Sequence, residues 1–187
     1  GYSCALDHTN RRIDIAQRPE LTKGVVDFVL PKKYWENTDM EPVPLHQVFL
    51  IDVSSHAMEK DLPRLVCDAI NATLYSWNEE TGEEQCVLPP GSKIAIITFD
   101  KNVQFYNMSP SLQQPIVTIM TDVADPFVPF HEGLFVDPLE SRDLIDQTLT
   151  IVQNTNKFTR YPEVSYGVAL KCAQLALNEF TDGQGGK

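Results

Sequence analysis

Apolar and polar positions alternate along the chain with periods that change every ten to twenty residues. HQVFLIDV (46–53) and KIAIITFD (93–100) are near-continuous apolar runs, the pattern of strands buried on both faces. Between them, from Glu59 to Trp77, Leu62, Leu65, Val66, Ala69, Ile70 and Leu74 recur at helical steps. One amphipathic helix is predicted there, with Pro63 tolerated in its first turn. Lys101-Asn102 is a two-residue turn into VQFYNM (103–108), which predicts a hairpin, and IVTIMTDV (116–123) reads as another strand. GVVDFVL (24–30) is expected to form a first strand, stopped by Pro31. Leu144, Ile145, Leu149 and Val152 mark a helix over 139–153, and a last helix is expected from Val164 to Phe180. ENTDMEPVPL, NEETGEEQCVLPPGS and DPFVPFHEGLFVDP carry the prolines, glycines and charges of loops.

Strand, helix, strand, strand, helix, helix implies an α/β layered sandwich, Rossmann-like, with a mostly parallel central sheet. Residues 1–23 are polar and read as a connector, leaving 24–187 as the domain. The final helix is followed by Gly183, Gly185 and Gly186, where a right-handed crossover would next deliver another parallel strand. The chain is therefore expected to be a piece of a longer protein, with the domain cut short at its C-terminal end.

Formal net charge is −11. That argues against nucleic acid, which demands a basic face, and against clinging unaided to anionic lipid. Arg11, Arg12, Lys32 and Lys33 are the candidates for any local basic face. No apolar stretch approaches the ~20 residues that span a bilayer. Cysteines at 4, 67, 86 and 172 show neither metal-pair nor disulfide-scaffold spacing, so free thiols in a reducing cytosol are expected.

The candidate chemistry lies where VFLIDVSSHAM leaves its strand. Adhesion-type α/β domains hold magnesium at such a corner with Asp-x-Ser-x-Ser, alternate residues aiming oxygens at the ion. Here the series is Asp52, Ser54 and His56, and imidazole is a poor substitute where magnesium prefers oxygen. Asp52, Ser54 and His56 are read as a degenerate ion-site loop that binds no metal, with Asp52 and Ser54 capping the next helix or tying down the loop. Thr181-Asp182-Gly183 resembles a further ligand loop of that site but follows a helical pattern instead of a strand. No nucleophile elbow, Walker loop or dinucleotide motif is present, and His8, His46, His56 and His131 have no nucleophile in a recognisable context. No catalytic residue is assigned. A metal-dependent adhesion-type von Willebrand A domain is the alternative reading. A phosphate-processing enzyme would rest on fold analogy alone.

LDHTNRRIDIAQRPEL, VFLIDVS, IITFDKNVQFYNMSPSLQQP and TDVADPFVPFHEGLFVDPLESRDLI occur in an order and spacing that resembles the trunk domain of the Sec-twenty-four family. That family supplies the cargo-adaptor subunit of the COPII inner coat, and the likeness covers essentially the whole chain. LDHT-x-RR-x-D looks nearest to the branch holding the vertebrate C and D paralogues and their fungal counterpart.

The resemblance implies a von Willebrand A-like domain without its ion, acting in vesicle budding and endoplasmic-reticulum-to-Golgi transport. It implies a heterodimer with the sister inner-coat subunit, contact through it with the coat's small GTPase, and binding of the cytosolic tails of cargo and fusion proteins. The implied location is cytoplasmic, peripheral on endoplasmic-reticulum membrane and vesicles. No cofactor is expected in this segment; zinc belongs to a four-cysteine module upstream, and Cys4 should be free. For acidic-hydrophobic exit signals the family pattern has an aromatic after the first trunk strand, matched by Tyr34, and a base where this chain has Gly91. Tyr34 is thus the candidate cargo-binding residue, while Gly91 removes the charge-assisted bond an acidic signal would use.

Overall fold

The structure is a computed structural model that describes residues 4–28, 31–34, 44–79, 81–155 and 161–180. Two compact units divide the chain, Gly1–Pro42 and Val43–Lys187. In the first, the Asp7 carboxylate accepts the Thr9 and Arg11 N–H groups and shapes a turn closed by a Leu6–Arg12 bridge. Asp14 is gripped by Arg12 at 2.6 Å and Arg18 at 3.0 Å, and these guanidinium bonds, Arg12 foremost, pull its carboxyl down to about 2. A short helix, α1 (Pro19–Thr22), starts on the proline that its first turn accommodates.

The first strand expected over 24–30 is not formed. Residues 24–28 are irregular, with Val25 and Phe28 open to solvent, and 29–30 lie outside the described residues. Two adjacent valines and a solvent-exposed phenylalanine do not make a strand by composition alone.

The second unit contains β1 (Gln47–Asp52), α2 (Ser55–Glu59), α3 (Leu62–Leu74), β2 (Tyr75–Asn78), β3 (Glu83–Cys86), β4 (Ile94–Phe99), β5 (Val103–Asn107), β6 (Ile116–Met120), α4 (Arg142–Gln153) and α5 (Tyr166–Phe180). The main sheet has the order β1-β4-β5-β6. β1 and β4 run parallel, in register from Gln47↔Ile94 to Asp52↔Phe99, whereas β4–β5 and β5–β6 are antiparallel. The expectation of a mostly parallel sheet is corrected accordingly: two of the three described pairings are antiparallel. For β4–β5 the cause is local, since a connection as short as the one at Lys101-Asn102 can only reverse the chain.

All six residues of β4 are buried, as its apolar run requires of a central strand. Ile94 and Ile96 join Ile51, Val53 and Tyr106 beneath Cys67, Ile70 and Leu74 of α3 and Ile145, Leu149 and Val152 of α4. Ala95, Ile97 and Phe99 join Val103, Phe105 and Met120 beneath Ala169, Cys172 and Ala176 of α5. Small residues on α5 let that helix approach the sheet closely. The α/β layered sandwich is thereby observed, with helices on both faces of one sheet.

The helix predicted over 59–77 is divided. Asp61 takes a left-handed conformation (φ 56°) that separates α2 from α3, and α3 ends at Leu74. Tyr75 to Asn78 instead pairs with Glu83 to Cys86 across a turn with Gly82 at φ 68°. What reads as an acidic loop is half of this hairpin. Arg142 fixes it to α4: its guanidinium lies 3.9 Å from the Tyr75 ring centre, bonds Glu84 at 2.9 Å and also pairs with Asp146.

The closed strand-end corner

The candidate ion corner is built where β1 and β4 end side by side. The Val53 N–H continues the ladder by donating to the Phe99 carbonyl at 2.9 Å, which directs Asp52 and Ser54 to the sheet's end. Asp52 is half-buried, and its Oδ1 accepts the Ser54 N–H at 2.8 Å. Ser54 is 1% exposed and is the N-cap of α2: its Oγ accepts the Ala57 N–H at 3.3 Å and its carbonyl accepts the Met58 N–H at 2.9 Å. The capping and tying role expected of these two residues is the one they perform. His56 is the second residue of α2, at the surface.

Neighbouring loops use their oxygens in the same way. Asp100, 2% exposed, accepts the Asn102 N–H on its Oδ1 at 2.9 Å, and its carbonyl accepts the Ser165 N–H at 2.7 Å. The Ser165 hydroxyl donates to the Lys101 carbonyl, and the Tyr161 carbonyl accepts the Ser55 N–H at 3.0 Å. Each of these oxygens satisfies a backbone or hydroxyl donor, and a donor orphaned at a buried position here would cost about 1–3 kcal/mol. A metal entering here would compete with the Asp52–Ser54 and Ser54–Ala57 bonds. Among the described residues no group of three or more His, Cys, Asp or Glu side chains is placed to hold a metal. The Thr181-Asp182-Gly183 motif lies outside the described residues.

Zinc finds no donor set in this chain's described residues either. Cys4, Cys67, Cys86 and Cys172 are free thiols on separate elements. Burial pushes the Cys67 thiol up to about 12 and raises that of Cys172, so neither offers a thiolate near neutral pH.

Tyr34 ends a 3-10 turn, Lys32–Tyr34, and is 64% exposed, with the Lys33 ammonium 4.8 Å from its ring centre. It belongs to the first unit and Gly91 to the second. Gly91 has φ 81°, and a Cβ built there would stand 3.1 Å from the Pro44 side chain. A positive φ and a tight neighbour together explain a glycine where the family pattern has a base. Gly91 also borders a cavity of about 260 Å³ with Leu88, Ser92, Pro138 and Leu139.

Two features escape the sequence patterns. Thr98 Oγ1 lies 3.3 Å from Gln104 Oε1 and 3.2 Å from the Tyr106 hydroxyl, a polar trio sealed on the α3–α4 face of the sheet. Thr98 at the end of IAIITF is the only signal for it. Trp77 is 67% exposed on the β2–β3 hairpin, opposite Glu84. Alternation in YSWN could have announced that hairpin.

Residues 42–187 match the family described as the Sec23/Sec24 trunk domain. SED5-binding protein 3 of Saccharomyces cerevisiae is 37% identical over 180 residues, which cover 95% of this chain and 18% of that protein. Protein transport protein Sec24C of Homo sapiens is 34% identical over 176 residues, 94% of this chain and 16% of that protein. The crystal structure of the human COPII-coat protein Sec24c matches with a TM-score of 0.62 at 30% identity, over 95% of this chain and 23% of that one. The chain thus spans under a fifth of the length of these curated relatives. Because the matched residues include the whole sheet and the helices on both of its faces, the chain belongs to the Sec23/Sec24 trunk-domain family.

Proposed function

We propose that this chain is the trunk of a COPII cargo adaptor, a docking scaffold that works in vesicle-mediated protein transport without catalysis. The likeness to the human COPII-coat protein Sec24c, over nearly the whole chain at 30% identity, is the observation that carries this reading. In it the domain is von Willebrand A-like and its strand-end corner serves as a structural cap. The trunk pairs with the sister inner-coat subunit, meets the small GTPase through that heterodimer, and helps select the cytosolic tails of cargo for endoplasmic-reticulum-to-Golgi transport. Its place is the cytoplasmic surface of the endoplasmic-reticulum membrane, held peripherally. No described helix is long and apolar enough to cross a membrane. Zinc, in this reading, belongs to an upstream module.

Tyr34 is an exposed aromatic suited to an apolar tail residue and is the candidate for cargo contact in this reading. Affinity purification of the full-length protein tests the function: the sister inner-coat subunit is expected in stoichiometric amount. Its absence from a folded, soluble preparation would overturn the assignment.

A further inference from the structure

Among the described residues, strand β6 is hydrogen-bonded to a strand on one side only. It pairs with β5 from Asn107↔Ile116 to Val103↔Met120, and no described strand lies beyond it. Its far side presents a row of backbone N–H and C=O groups, an arrangement that soluble proteins usually blunt with lysine, proline or an inward charge. IVTIM has none of these within it. Ile116, Val117 and Ile119 are instead 51%, 39% and 57% exposed. By register Val117 and Ile119 stand opposite Tyr106 and Gln104, on the α3–α4 face of the sheet. Ile116 shares the other face with buried Met120. Branched apolar side chains therefore flank the open edge on both faces, where one more strand would cover them.

Charge narrows the occupant. From Gln113 to Asp125 there is no basic residue, and the strand's exit carries Asp122 and Asp125, both exposed. Asp122 Oδ1 accepts the Ala124 N–H at 3.0 Å, which ties the acidic exit into a turn next to the strand end. A second copy would bring together two chains of formal charge −11 with no cation along the contact. An antiparallel guest begins at the Asp122 end, so a lysine or arginine at its start meets these carboxylates.

We propose that β6 is a strand-addition site for an extended segment of another protein, rich in β-branched residues and basic at its N-terminal flank. Main-chain pairing supplies affinity, and Val117, Ile119 and the acidic exit supply register and direction. The site follows from the open edge itself and does not depend on the coat assignment.

The test titrates the full chain into a fluorescent acetyl-Lys-Val-Thr-Val-Thr-Val-amide peptide by anisotropy, with amide hydrogen exchange on the mixture. Saturable binding is expected, together with slowed exchange of alternate β6 amides. Ile119→Lys should weaken binding by about tenfold or more, since it removes a branched contact and adds a charge. That variant should melt like the parent because Ile119 is exposed. Replacing the peptide's central valine by proline should abolish binding, and replacing its lysine by glutamate should weaken it. The proposal is overturned if nothing saturable is seen, if the proline peptide or the Ile119→Lys variant binds unchanged, or if protection falls elsewhere. It is also overturned if the free chain dimerises through β6, because the occupant is then a second copy.

Discussion

Replacing Ser54 by alanine isolates the structural work of the corner. Ser54 is 1% exposed and its hydroxyl accepts the N–H of Ala57, itself buried. Alanine fills nearly the same space, so packing changes little while an N-cap is lost and a buried donor is orphaned. Together these should cost about 1–2 kcal/mol. The bond is long at 3.3 Å, which favours the lower half of that range. For a chain of this size 1 kcal/mol moves the melting midpoint by roughly 2–4 °C, so a fall on the order of 2–6 °C is expected. Urea denaturation followed by circular dichroism should show a lower midpoint with an unchanged slope, and Ser54→Asp, which can still cap, should recover most of it. Equal stability of Ser54→Ala and the parent would refute the argument that the corner's oxygens are structural.

Three further outcomes follow from the same geometry. Burial, with the Lys93 charge second, lowers the His46 imidazole below its ordinary 6.5. The unfolded chain therefore takes up this proton first as pH falls through about 6.5, and stability is lost below that point. His46→Gln should flatten the midpoint-versus-pH curve between about pH 7 and 5. Arg142→Met removes the guanidinium from the Tyr75 ring and from Glu84 and Asp146, so exchange of the β2–β3 amides should quicken while β4 stays protected. Thiol titration of the native protein should find Cys4 fast and Cys86 slower, with Cys67 and Cys172 unreactive until denaturant is added.

Burial on both faces is legible in IAIITF because five of its six residues, four of them consecutive, are apolar and leave a strand nowhere else to go. The hairpin at Lys101-Asn102 is legible in its turn, whereas the direction of β6 beside β5 depends on the longer connection over 108–115. The helix overran its end because Trp77 falls three residues after Leu74, so an i,i+3 count continues smoothly into what is a strand. Pairing with Glu83 to Cys86 and the grip of Arg142, 67 residues away from Tyr75, mark that boundary. GVVDFVL carries β-branched residues but lacks a described partner, and propensity without partners does not fix a strand. At the corner, the residue types of Asp52 and Ser54 foretold capping, whereas the enclosure by Tyr161 and Ser165 depends on loops distant in sequence.

Isothermal calorimetry of magnesium or manganese into the folded chain tests the closed corner most directly. With Asp52 and Ser54 held by backbone donors, injections should give dilution heats only, identical in the parent and in Asp52→Ala. A saturable single-site isotherm in the parent that vanishes in Asp52→Ala would contradict the account.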